Sequence, residues 1–127
     1  MIISVIVDDK IIIKDGVGEI INDDSFWSDY SKVHAIQINT DGESITENRD
    51  NTQTKTTQSI IDAITKKYDD TKSARELAEK TAFANRTYAQ KRSAEYPSII
   101  DQLDDIYHNG IDSWKITIKK IKDKYPK

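Results

Sequence analysis

The chain has 127 residues, of which 36% are hydrophobic and 32% are charged, and its formal net charge is -3 at pH 7. This length suits one domain or two very small ones with a thin core, so we expect other chains to cover part of the apolar surface. The acidic balance argues against a nucleic-acid-binding protein, and the lack of cysteine excludes disulfides and thiolate metal sites.

Residues 1–47 predict a small antiparallel β-sheet made of hairpins, which serves as a docking module. The apolar residues 1–7 are too short for a signal peptide or a membrane span, so we expect a protein without a membrane partner. Asp15-Gly16 marks a hairpin turn because glycine accepts a positive φ, and Asp41-Gly42 repeats the pattern. The predicted strands are 2–7, 11–14, 17–21, 33–39 and 43–47. The Ile11-Ile12-Ile13 run does not alternate, so either both sheet faces are covered or one face meets a partner.

Between the two hairpins lies an aromatic segment, residues 22–32, which is predicted to form a loop or a helical turn. Its Phe26, Trp27 and Tyr30 fit a plug that closes the small sheet, since such a sheet needs large apolar cover. The alternative is a platform for a sugar or a protein partner.

Residues 48–58 contain no apolar side chain and predict a polar linker. Residues 59–95 then show helical periodicity and predict a helical stem, in which Asp69-Asp70 either caps a second helix or lies within one long helix. A weak coiled-coil-like stripe follows the stem at spacings of three and four. Its members are Ala74, Leu77, Thr81, Ala84 and Tyr88.

Residues 96–127 predict a C-terminal αα-hairpin. Pro97 separates it from the stem, Ser98 is a natural N-cap, and Asn109-Gly110 ends the first helix. We expect the apolar faces of both helices to be buried against each other. On the first helix this face comprises Ile99, Ile100, Leu103, Ile106 and Tyr107, and on the second Ile111, Trp114, Ile118, Ile121 and Tyr125.

This C-terminal segment resembles the one found in small tail-associated and tail-fibre proteins of tailed bacteriophages, especially marine and cyanobacterial phages. The matching motifs are Tyr96-Pro97-Ser98-Ile99, Asp101-Gln102-Leu103-Asp104, Tyr107-His108 and Lys122-Asp123-Lys124-Tyr125-Pro126. The strand His34-Ala35-Ile36-Gln37 near the start is also similar to strands in such proteins. The resemblance implies a role in the virion, and it implies no chemistry.

Residues that carry chemistry form no recognisable catalytic motif. A nucleophile elbow, a P-loop and an HExxH pattern are all missing from the sequence. The adjacent aspartates, such as Asp23-Asp24, are typical of turns and helix caps, and His34 and His108 are expected to be structural or solvated. We therefore expect no enzyme activity, no cofactor, no metal and no small-molecule substrate.

We expect a structural protein of the phage tail, associated with a tail fibre, the baseplate or a tail adaptor. It would be made in the host cytoplasm and would bind other tail proteins and copies of itself. The alternative is a tail-fibre assembly chaperone that does not remain in the virion. The predicted partner-docking residues are apolar and lie on the strands, the aromatic segment and the terminal hairpin. They are Ile3, Val5, Ile11, Ile13, Trp27, Leu103, Tyr107, Trp114, Ile118 and Ile121.

Overall fold

The computed structural model describes all 127 residues. The elements in chain order are β1 (Ile2–Ile6), β2 (Ile11–Lys14), β3 (Val17–Ile20), α1 (Asp24–Ser28), β4 (Val33–Asn39), β5 (Ile45–Asn48), β6 (Gln53–Lys55), α2 (Gln58–Ala84), α3 (Tyr88–Glu95) and α4 (Ile99–Lys124). The α+β class, with an antiparallel N-terminal sheet followed by helices, is confirmed. Contacts divide the chain into two compact units, Met1–Leu77 and Ala78–Lys127.

The sheet of the Met1–Leu77 unit has six strands in the order β3-β2-β1-β4-β5-β6, and every neighbouring pair is antiparallel. Val5 of β1 lies opposite Ile12 of β2 on one side and Ile36 of β4 on the other. All three side chains are at most 1% exposed. Because side chains alternate across a strand, one face of the sheet carries the core.

Helices α1 and α2 contribute to the core on this face. Ile64 and Tyr68 of α2 are buried, and so are Trp27 and Tyr30 of the aromatic segment. The Trp27 indole N–H donates to the carbonyl of Ile21 at 2.7 Å, which satisfies the polar edge of a buried ring. The aromatic segment therefore acts as a plug on the sheet core.

The two Asp-Gly sequences form different turns. Asp15 and Gly16 have φ values of 48° and 85°, so they make the two-residue turn with positive φ that was predicted between β2 and β3. Gly42 instead lies in a longer loop between β4 and β5, where its φ is not positive. There the Asn39 side chain accepts the N–H of Asp41 at 3.0 Å, so side-chain hydrogen bonding shapes this turn.

The segment predicted as a polar linker contains the sixth strand. β6 pairs with β5, and Thr54 lies opposite Thr46. The hydroxyls of Thr46 and Thr56 are 2.9 Å apart and buried, so this edge of the sheet is closed by a hydrogen bond between polar side chains. Hydrophobic alternation could not reveal the strand because all three of its residues, Gln53 to Lys55, are polar and exposed.

The predicted stem forms two helices. α2 continues through Asp69 and Asp70 without a break, and these aspartates pair with Lys14 and Lys66. α3 starts anew at Thr87, where Thr87 and Gln90 form a capping box. No helix combines the length and the apolar character needed to cross a membrane.

The C-terminal segment forms a helix pair, as predicted. Ser98 Oγ accepts the Asp101 N–H at 3.0 Å and caps the first helix. Gly110, with φ 84° and ψ 167°, divides α4 into residues 99–109 and 111–124. The sharp change of direction falls on glycine because a left-handed φ is unfavourable for residues with a Cβ. The two parts of α4 are called the first and second helix of the helix pair below.

Candidate functional site

One face of the sheet carries an open patch of isoleucines. Ile6 lies opposite Ile11, and Ile11 lies opposite Ile20 on the next strand. Ile20 is 61% exposed and Ile2 is 58% exposed, while the remaining members are half-buried. We call Ile2, Ile6, Ile11, Ile13 and Ile20 the isoleucine face. Since the core uses the other face, this patch explains why the Ile11-Ile12-Ile13 run is apolar throughout.

Three predicted docking residues do not lie on this surface. Ile3, Val5 and Trp27 are between 0% and 6% exposed and belong to the sheet core. Ile3 and Val5 alternate along β1 with the outward-pointing isoleucines, and Trp27 lies in the aromatic segment. The prediction that these three residues form part of a docking surface is therefore wrong. Ile11 and Ile13 are half-buried members of the isoleucine face.

The Ala78–Lys127 unit lacks a buried core of its own. Neither α3 nor α4 contains a buried residue. Six apolar side chains of α4 are each at least 55% exposed, and Tyr107 reaches 84%. We call them the C-terminal stripe: Ile99, Ile100, Leu103, Tyr107, Ile111 and Ile116. Large exposed apolar patches are rare on monomeric soluble proteins.

The helix pair is held together on a different side of its first helix. Gln102 is the hub, since its amide donates to the Pro97 carbonyl at 2.8 Å and its oxygen accepts the Trp114 indole N–H at 3.0 Å. Ile106 is half-buried on this side, as are Ile118 and Ile121 of the second helix.

The expectation that the two apolar faces bury each other therefore needs correction for the first helix. Leu103 is 60% exposed, although it was predicted to be buried against the second helix. Gln102 replaces it at the seam because the Trp114 indole N–H requires a hydrogen-bond acceptor once the ring is half-buried. The Trp114–Gln102 pair could have indicated this arrangement, because a half-buried indole N–H needs an acceptor. A prediction based on apolar periodicity alone leaves glutamine out.

The end of α4 is fixed to α3 by charged side chains. Arg92 donates through Nε to the Tyr125 carbonyl at 2.8 Å, which satisfies a carbonyl at the end of the helix. Glu95 accepts from Lys124 Nζ at 2.6 Å and also from the Tyr125 hydroxyl. The hydrogen bond from Lys124 is the main cause, and that from Tyr125 the next, of a Glu95 carboxyl pKa below its ordinary value. The Lys-Tyr-Pro ending thus has a structural role in closing the unit.

The two histidines and the acidic residues do not assemble a metal site: no group of three or more potential ligands occurs. His34 Nδ1 lies 3.3 Å from Asp8, which also pairs with Arg49. The Arg49 guanidinium is the main cause of a lowered pKa at Asp8. His108 stacks edge-on against Tyr107, with ring centroids 5.0 Å apart.

An open groove of about 1000 Å³ lies beside α2, bordered by Ile38 and Thr56 of the sheet region. Its carboxylates are Asp62, Asp69 and Asp70, all on α2. Glycoside hydrolysis requires two carboxylates facing each other across a cleft. Carboxylates on a single wall do not provide that arrangement.

Comparisons with protein-family models, curated proteins and solved structures found no match to this chain. The functional interpretation depends on two features of the molecule itself, the isoleucine face and the C-terminal stripe. Both are apolar, both are exposed, and each belongs to a different compact unit.

Proposed function

We propose that this protein is a non-enzymatic structural component of a bacteriophage tail that acts by docking on other proteins. The exposure of the C-terminal stripe is the observation that carries the proposal. A helix pair gains stability by burying apolar side chains, yet Leu103 and Tyr107 are left 60% and 84% exposed here. A partner that covers them supplies the burial that the isolated unit lacks.

The proposed mechanism is the transfer of apolar side chains from water into an interface. Full burial of one Leu, Ile or Phe side chain contributes about 1.5–3 kcal/mol relative to exposure. Only part of this gain appears as affinity, because association also costs translational and rotational freedom. The isoleucine face offers a second surface, so one molecule can bind two partners at once.

The placement in a phage tail is supported by the sequence resemblance, and the structure gives physical roles to its motif residues. Ser98 caps the first helix, Gln102 joins Pro97 to Trp114, and Tyr125 closes the second helix against α3. The segment is therefore a self-consistent device for presenting the C-terminal stripe.

Mass spectrometry of purified phage particles tests the proposal. We expect peptides of this chain in particles at a fixed ratio to known tail proteins. A chain that is abundant in infected cells and absent from particles would favour the assembly-chaperone alternative. Absence from infected cells would contradict both.

A pair of matched variants tests the docking surface. Leu103→Ser on the C-terminal stripe is expected to reduce incorporation into particles. Leu77→Ser is the control, because Leu77 is also exposed, at 66%, but lies on α2. Equal incorporation of both variants would contradict a role of the stripe in docking.

A further inference from the structure

The helix pair separates its charges between its two helices. Residues 99–109 contain Asp101, Asp104 and Asp105 and no lysine or arginine. Residues 111–124 contain five lysines, against the two acidic residues Asp112 and Asp123. The first helix is therefore acidic and the second helix is basic.

Several of these charges have no ion-pair partner within the chain. Lys119 pairs with Asp123 and Lys124 pairs with Glu95, at 2.5 and 2.6 Å. Lys115, Lys120 and Lys122 form no salt bridge, and all three are exposed. On the first helix, Asp104 is likewise exposed and forms no salt bridge. Charges of both signs are thus available to a partner.

These free charges lie beside the C-terminal stripe. Asp104 follows Ile100 by four residues, and Lys115 follows Ile111 by four residues. Residues four apart occupy neighbouring positions on one side of a helix. Lys122 follows Lys115 by seven residues, or about two turns, and so continues the same side. The apolar stripe is consequently flanked by negative charge on one helix and by positive charge on the other.

We infer that the C-terminal stripe is covered by the helix pair of a second copy of this chain, related by a two-fold axis. In a two-fold interface the same patch is used by both copies, so the patch must complement itself. An acidic helix and a basic helix, each with exposed isoleucines, meet this requirement when the acidic helix of one copy faces the basic helix of the other. This inference rests on the proposed docking role and names the partner at one of the two surfaces. The isoleucine face then remains for a different tail protein.

Charge-swap variants of the full chain test the inference. Asp104→Lys places a positive charge beside the stripe on the first helix, and Lys115→Glu with Lys122→Glu places negative charges beside it on the second helix. Each variant repels itself in the two-fold arrangement, whereas a mixture of the two restores opposite charges at both contacts. We expect the wild type to sediment as a dimer of the 14.5 kDa chain. Each variant alone should dimerise at least tenfold more weakly, and the mixture should recover a heterodimer. Circular dichroism of each variant monitors its helix content.

The outcomes separate this inference from the proposed function. A wild type that stays monomeric at high micromolar concentration overturns the inference, as does a mixture that fails to associate when both variants keep their helix content. Dimerisation unaffected by either charge-swap variant also overturns it, because the interface then lies elsewhere. Since these experiments use purified protein, they are independent of whether the chain is found in phage particles. Raising the salt concentration should weaken the wild-type dimer, because the flanking charges are exposed.

Discussion

Truncation of Leu103 to alanine distinguishes a docking residue from a core residue. Leu103→Ala removes three carbon atoms, and a buried methylene contributes about 0.8 kcal/mol. Because 60% of this side chain is exposed in the isolated chain, that fraction is what a partner can still bury. The loss is then about 1.4 kcal/mol per copy by the same scale. A two-fold dimer loses it twice, about 3 kcal/mol, which corresponds to roughly a hundredfold weaker dissociation constant.

The assay measures association and stability on the same protein. Sedimentation equilibrium gives the dimer dissociation constant. Thermal unfolding is followed by circular dichroism at a protein concentration below this constant, where the chain is monomeric. We expect the dissociation constant to rise about a hundredfold while the unfolding temperature of the monomer changes by only a few degrees. Leu77→Ala, on α2, should change neither quantity appreciably. A large fall in unfolding temperature with unchanged association would refute the reasoning, because Leu103 would then be an internal packing residue.

Three further predictions concern contacts within each unit. Ile64→Ala, at a site that is 0% exposed, should destabilise the sheet unit by about 2–5 kcal/mol in urea unfolding, whereas Ile20→Ala should cost less than about 1 kcal/mol. Equal costs would mean that α2 does not cover the core. Hydrogen bonds from Lys124, the larger cause, and from Tyr125 lower the pKa of the Glu95 carboxyl in the folded protein. The stability that this ionised carboxylate contributes is therefore complete above the ordinary carboxyl pKa of 4.5 and is lost as the pH falls through the lower folded pKa. Glu95→Gln should therefore reduce the acid sensitivity of the helical circular dichroism signal, and an unchanged acid profile would contradict this. Trp114→Ala removes the partner of Gln102 and should lower the helix content of the terminal unit, unlike Leu103→Ala. The same helix content in both variants would argue against a role of the Gln102–Trp114 hydrogen bond in holding the helix pair together.

The isoleucine face and the C-terminal stripe have a common physical origin: the chain has too little interior to bury all of its apolar residues. The sheet has two faces, and the core fills only one of them, so Ile11 and Ile20 remain outside. The helix pair has only α3 and the end of α2 within its own unit, and none of the side chains of α3 or α4 is fully buried. A short chain buries a smaller fraction of its surface than a long one, so some apolar side chains remain exposed.

Local signals in the sequence were enough to place most elements. Asp15-Gly16 has one favourable conformation between β-branched runs, and Gly110 and Ser98 mark helix boundaries through φ preference and hydrogen-bonding capacity. These features act within a few residues of themselves, so they are readable without the tertiary fold. The class of the fold and the ends of the terminal helices were therefore determined by the sequence alone.

Tertiary structure decided which apolar side chains are covered. Ile3 and Ile2 are neighbours of the same chemical type, yet one is 0% and the other 58% exposed, because strand alternation sends them to opposite faces and only one face meets helices. Gln102, and not Leu103 as predicted, faces the second helix, because its amide oxygen accepts the Trp114 indole N–H. β6 formed from a wholly polar segment because a neighbouring strand offered its backbone and a threonine hydroxyl. Each of these outcomes depends on which neighbouring element packs or pairs with the segment, and the pattern within a single element does not specify that.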